Sequence, residues 1–265
     1  MIDQGEKSID GLEFLARSQS RVRLLDALSS ATYLPKAELR RQLDTSRTTV
    51  DRHLDALEER NWIRAVDDGY ATTRVGELVA EEFFAFVETI RMARRLVPAM
   101  KWLPSEFDLN VDVLADAEVV LAEPHDPYSV MNHHVRTLRS ADRLWGIVPL
   151  TGLHIYEGIH EAVVHNGASV RLIVGPRVAE IYQSDLEYRR LTEEMERTDR
   201  FELRVYDSAI PYGVTLLDGS VQIVGIDDEG LMRSLIETEA PRAREWAERV
   251  YRRYSEESRA PLCTF

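Results

Sequence analysis

Seven histidines, three lysines and one cysteine are the residues from which a reacting centre could be assembled, and their spacing limits the chemistry. The lysines are Lys7, Lys36 and Lys101. None follows a glycine, so the Gly-Lys-Ser/Thr that cradles nucleotide phosphates is absent. None has a histidine two residues before it. A Schiff-base lysine needs an apolar pocket, and only Lys101, in AMKWLP, approaches one. No G-x-G-x-x-G, G-x-S-x-G or H-E-x-x-H occurs. Cys263 is alone, which rules out an internal disulfide framework or a cysteine zinc cage. His133, His134, His154, His160 and His165 are scattered, and the last two are five apart, not the three or four that share a helix face. No catalytic residue, metal or cofactor is expected.

Charge is the next constraint. Lys plus Arg number 33 and Asp plus Glu 46, for a formal net charge of −13. With three lysines, 33 − 3 leaves 30 arginines. Surplus acid with almost no lysine resembles the composition of a salt-in halophile. Bulk acidity argues against nucleic acid, but the acidity is unevenly spread. Residues 17–64 hold 10 basic and 7 acidic residues, a local +3, which leaves −16 for the rest. No apolar run reaches the roughly 20 residues of a membrane span, and MIDQGEKSIDG has no signal-peptide core. A cytoplasmic protein without membrane contact is expected.

The elements that would position the arginines follow from periodicity. Residues 20–62 read as three short helices. The first, Ser20–Ser29, carries Val22, Leu25 and Leu28 on one face. The second is opened by Pro35 and carries Ala37, Leu39 and Leu43. After a break at Asp44–Thr45, Ser46 caps the third, with Val50, Leu54 and Leu57 as its apolar stripe. Trp62–Thr73 reads as a hairpin around Asp67-Asp68-Gly69. Val75–Leu103 is a long helical pattern that Pro98 bends or splits. From Leu114 the period changes, with strands at 117–123, 143–149, 169–175 and 201–207 and a last hairpin over 212–227 turning at Asp218-Gly219. Helices fall at 127–140, 152–167, 177–199 and Pro241–Glu257. Strands apolar on both faces and separated by helices predict a parallel or mixed sheet with helices packed on it. The fold class is α/β behind an all-α, winged N-terminal part. The domains are 1–75, a linker and dimerisation helix over 76–110, and an α/β effector domain over 111–265.

Helix, helix, turn, helix, hairpin is the order of a winged helix-turn-helix, with 46–60 as the helix that enters the major groove. Burying Val50, Leu54 and Leu57 leaves Ser46, Arg47, Thr48, Thr49 and Arg52 on the outer face and His53 at its edge. Arginine reads guanine bidentately and threonine reaches phosphate or a thymine methyl. Arg40 and Arg41 would hold the backbone, with Arg64 on the wing. A small helical bundle with a solvated charged face is the alternative.

A family resemblance rests on these residues. YLPKAELRRQLDTSRTTVDRHLDALEERNWI, followed by GYATTRVGELVA, resembles archaeal winged-helix regulators, especially haloarchaeal ones with the middle domain first described in methanogenesis regulators. SRTTV at Ser46–Val50 and Y-x-x-T-x-x-G at Tyr70, Thr73 and Gly76 carry it, and WLP (102–104) and LADAEVVLAEPHDP (114–127) extend it more loosely. The second half is similar to the effector domain of TrmB-type sugar-responsive regulators, itself like one half of the phospholipase D fold. Enzymes of that fold carry His-x-Lys just before the strand-turn-strand at 213–230, where this chain has Ile210, Pro211 and Tyr212. The resemblance implies a regulator of double-stranded operator DNA controlled by a sugar or anionic metabolite. A ligand-free dimerisation platform is the alternative, and a phospholipase D-like enzyme fused to a helix-turn-helix the lesser one.

In open α/β sheets ligands sit beyond the carboxyl ends of the strands. There Thr151 and Gly152 precede a helix whose backbone N–H groups would meet an anion. Arg177 would add charge, and His154, Asp207 or Tyr212 would hydrogen-bond a sugar. The broad apolar face of the 76–103 helix, with Phe83, Phe84 and Phe86, predicts a homodimer matched to a palindromic operator.

Overall fold

The computed structural model describes residues 2–43 and 46–259, with side chains from residue 9 onward, and forms two compact units, 1–90 and 91–265. The expected break at Asp44–Thr45 and Cys263 lie outside the described residues.

The first unit runs α1 (Ile2–Ala16), α2 (Gln19–Ser29), β1 (Leu34–Pro35), α3 (Lys36–Gln42), α4 (Arg47–Glu58), β2 (Ile63–Val66), β3 (Gly69–Thr72) and the start of α5 (Arg74–Met100). The α4 stripe is as the periodicity requires: Val50, Leu54 and Leu57 are fully buried with Leu24, Leu25 and Leu28 of α2 and Leu39 of α3. The Ser46 hydroxyl accepts from the Thr49 N–H at 3.2 Å, satisfying a donor the helix start would leave open. Helix α1 goes beyond what the sequence pattern predicts, since two glycines interrupt it. Burial of Leu15 in the shared core supplies what local propensity lacks.

Three expectations for the residues up to Met100 need correction. Pro35 does not open α3 from within. It precedes the helix in extended geometry, and Leu34–Pro35 pairs with β3 to make a three-stranded sheet of order β1-β3-β2. As an edge strand β1 tolerates the missing proline N–H. In the hairpin, Asp67 and Asp68 form the two-residue loop, with Asp67 at positive φ, and Gly69 already lies in β3 opposite Val66. The glycine serves a close approach instead, because a Cβ there would run into the Leu34 carbonyl. Helix α5 is not split, as Pro98 sits in its last turn.

The second unit continues with β4 (Glu118–Leu121), α6 (Ser129–Arg139), β5 (Arg143–Val148), α7 (Leu153–His160, extended by a π turn at Glu161–His165) and β6 (Ser169–Val174). It goes on through α8 (Pro176–Ser184), α9 (Leu186–Glu196), β7 (Phe201–Tyr206), β8 (Gly213–Leu216), β9 (Val221–Ile226), β10 (Met232–Thr238), α10 (Pro241–Glu256) and β11 (Ser258–Arg259). The eight-stranded sheet has the order β11-β7-β6-β5-β8-β9-β10-β4. Only β5, β6 and β7 are parallel, so the sheet is mixed. Successive residues alternate between two cores. Leu144, Leu172, Val224 and Leu235 face α6 to α9, and Ile147, Ile173, Ile223 and Ile236 face α10.

Here too the structure corrects the expectation. The hairpin at Asp218-Gly219 is not the last, for β10 follows and pairs β9 with β4. Met232–Thr238 mixes three apolar residues with four polar ones, and its buried Ser234 escapes penalty by donating to the Ala99 carbonyl at 3.2 Å. The 177–199 helix is two helices, with Asp185 capping the second through Glu187 and Tyr188 N–H groups.

Candidate nucleic-acid interface

Helix α4 divides cleanly. Its inner stripe is buried, while Ser46, Arg47, Thr48 and Arg52 are directed outward and Thr49 is half-buried, its hydroxyl 2.9 Å from that of Ser46. Among the described residues Arg47 and Arg52 have no carboxylate within ion-pair distance. Arg64 is exposed on β2.

Three of the expected DNA-contacting residues are otherwise engaged. Arg40 donates to both oxygens of Asp51 on α4, and Lys36 Nζ lies 3.2 Å from the same carboxylate. The Arg40 hydrogen bond holds the Asp51 carboxyl below its usual range. Arg41 pairs with Glu38. His53 is not at an accessible edge: it is buried, with Nε2 3.5 Å from the Ser18 hydroxyl. Burial, then the charges of Arg21 and Arg52, push its imidazole below its ordinary value, so it is neutral near pH 7. Arg21 and Arg60, which no sequence motif marks, stand against Phe14 in the same unit.

The six residues expected to hold a ligand in the second unit do not converge. Thr151 lines a cavity of about 40 Å³ beyond the carboxyl end of β5, with His134, Gly146, Tyr182, Gly213 and Thr215, and donates to the Tyr182 hydroxyl at 3.1 Å. That is room for about three waters, at roughly 10–15 Å³ each. Gly152 adjoins it as the N-cap of α7. His154 lines a separate groove with Asn132, Arg136, Arg139 and Ser140. Arg177 is exposed on α8, and Asp207 pairs with Arg259 at 2.5 Å. Tyr212 lies in the opposite layer, edge-on to Phe107, where burial pushes its hydroxyl up to about 12. The alternation along the chain entering β8 turns it away from the cavity that Gly213 lines.

Two polar features carry no signal in the sequence. His134 Nδ1 lies 2.6 Å from the Gln222 Oε1, and Gln222 donates to Glu237 at 2.9 Å. Ser220 donates to the same carboxylate at 2.7 Å, and His133 lies 2.8 Å from it. Burial pushes the Glu237 carboxyl up, but these hydrogen bonds outweigh it and hold it low. The second feature is a cleft of about 480 Å³ bounded by Lys101, Trp102, Pro104, Pro211, Asp227 and Arg233. In it Arg233 pairs with Asp227 at 2.5 Å. Among the described residues no three His, Cys, Asp or Glu side chains are placed to hold a metal, and no helix is long and apolar enough to cross a membrane.

The likenesses to known proteins agree in part with the sequence. Residues 127–257 match the family described as the middle domain of the methanogenesis regulatory protein FilR1, as the resemblance implied. Residues 9–95 match the HVO_A0261 N-terminal domain. No curated protein matches the chain significantly. Among solved structures the chain is similar to TrmBL2, described as an archaeal chromatin protein with a novel mode of DNA binding: 14% identity, 94% of this chain and 98% of that chain, TM-score 0.43. It is also similar to Nuc from Salmonella typhimurium, a phospholipase D family member, at 14% identity over 55% and 98% of the chains with TM-score 0.42. NucT from Helicobacter pylori gives 12% identity over 56% and 99%, with TM-score 0.44.

Proposed function

We propose that the chain is a DNA-binding transcriptional regulator, with α3 and α4 as a helix-turn-helix and β2–β3 as its wing. One observation carries the reading: α4 is buried on one side and presents Arg47, Thr48 and Arg52 on the other, with no carboxylate partner among the described residues. Guanidinium groups left free on a helix narrow enough for the major groove suit guanine and phosphate recognition. The match to a regulatory protein's middle domain supports the regulatory role.

Two further parts belong to the proposal. A homodimer forms through α5, supported by exposed Leu78 and Phe86 beside an apolar groove of about 400 Å³ with Leu12, Trp62 and Phe83. A small sugar or anionic metabolite controls the protein. The cleft at Trp102 and Arg233 is roomy enough, whereas the cavity at Thr151 must open first. The experiment is selection of duplexes from a random DNA pool. Enrichment of one palindromic motif is the expected result, and no enrichment at moderate salt would sink the reading.

A further inference from the structure

The first unit holds a second concentration of positive charge, apart from the tip of α4. The Phe14 ring of α1 carries two guanidiniums, that of Arg21 at 4.0 Å and that of Arg60 at 3.6 Å from the ring centroid. Arg21 comes from the first turn of α2, and Arg60 follows the end of α4 and donates to the Ala56 carbonyl at 3.1 Å. Arg52, on the outward side of α4, is near enough to Arg21 to act on its charge. Burial, then Arg60 and Arg52, push the Arg21 guanidinium below its ordinary value. Its Nε is buried and makes no hydrogen bond.

Among the described residues none of these three arginines has a carboxylate partner, and Arg21 and Arg60 are set apart by sharing one aromatic ring. Arg17, Arg40 and Arg41 of the same unit are paired, with Glu13, Asp51 and Glu38. Like charges held together this way repel, and a buried guanidinium donor left open costs free energy. Both costs fall when an anion with several acceptor oxygens lies against the cluster. Planar guanidiniums fixed on an aromatic ring suit a phosphate.

We infer that Arg21 and Arg60, braced on Phe14, with Arg52 on the outward side of α4, form a binding site for a phosphodiester of the DNA backbone, beside the helix that reads the bases. This rests on the DNA-binding reading and adds Arg21 and Arg60 to it. Such a site positions the protein without reading sequence.

The test is the salt dependence of duplex binding by the full chain, with a duplex selected by the parent from a random pool and an unrelated duplex of equal length. Arg21→Gln and Arg60→Gln are each expected to flatten the slope of log K against log salt by about 0.9 for every phosphate the variant no longer neutralises. Both duplexes should lose affinity by the same factor. A purely structural role for these arginines would shift the melting temperature and leave the slope unchanged. If the parent binds duplex and neither variant changes the slope, the proposal is overturned while the DNA reading stands. If the parent binds no duplex, both fall. Arg60→Gln removes no buried donor, so it remains informative should Arg21→Gln fold poorly.

Discussion

Arg40 on α3 donates from one nitrogen to both carboxylate oxygens of Asp51 on α4, at 2.7 and 2.8 Å. The pair ties the two proposed motif helices together at the end of α4 that carries Arg47 and Thr48. Arg40 is thereby spent within the protein. Arg40→Gln should lower stability by about 0.2–1 kcal/mol, a few degrees of melting temperature at most, because Lys36 still faces Asp51. The salt slope of DNA binding should stay near that of the parent. A slope flattened as much as in Arg47→Ala would show that Arg40 leaves Asp51 for phosphate.

Gly76 gives a prediction in which two effects oppose. It sits in the first turn of α5, where alanine would be favoured by roughly 1 kcal/mol on helix propensity. A Cβ there would run into the Trp62 carbonyl. The Thr73 hydroxyl fixes that approach, accepting from Gly76 N–H at 3.0 Å and donating to the Asn61 carbonyl at 2.5 Å. Steric cost should win, and Gly76→Ala should destabilise by about 1–3 kcal/mol in urea unfolding. An alanine variant as stable as the parent would contradict the geometry.

His134 sets a pH dependence. Burial pushes its imidazole below the ordinary value of 6.5, outweighing the Gln222 hydrogen bond. The unfolded chain therefore takes the proton more readily than the folded one. The stability contribution is whole above about pH 6.5 and declines as pH falls toward the folded value. Glu237, also held low, acts only near and below its ordinary 4.5. Melting temperature measured between about pH 7.5 and about pH 5.5 should fall less in His134→Gln than in the parent. Equal falls would place the titration elsewhere.

Much of this architecture is legible in the residues. Val50, Leu54 and Leu57 mark α4 because a 3.6-residue period and a buried face are one fact seen twice. Strand β6 is legible because its second half is buried on both faces, making LIV at 172–174 a continuous apolar run. Strand β10 is not, because Ser234 and Glu237 are polar positions satisfied by distant partners, Ala99 and His133. The expected ligand residues fail to converge for a similar reason. Strand ends can be ordered from sequence, but which face Tyr212 takes depends on register with neighbours far along the chain. Arg21 and Arg60 carry no motif, and only the fold brings them to Phe14.

Base reading by α4 rests most directly on Arg47. The decisive measurement is affinity of the parent and Arg47→Ala for a duplex the parent selects from a random pool, beside an unrelated duplex. The expected loss is about 1–3 kcal/mol on the selected duplex, roughly fivefold to 150-fold, and much smaller on the unrelated one. Equal binding of the selected duplex by parent and variant would contradict the assignment of α4 as the helix that reads DNA.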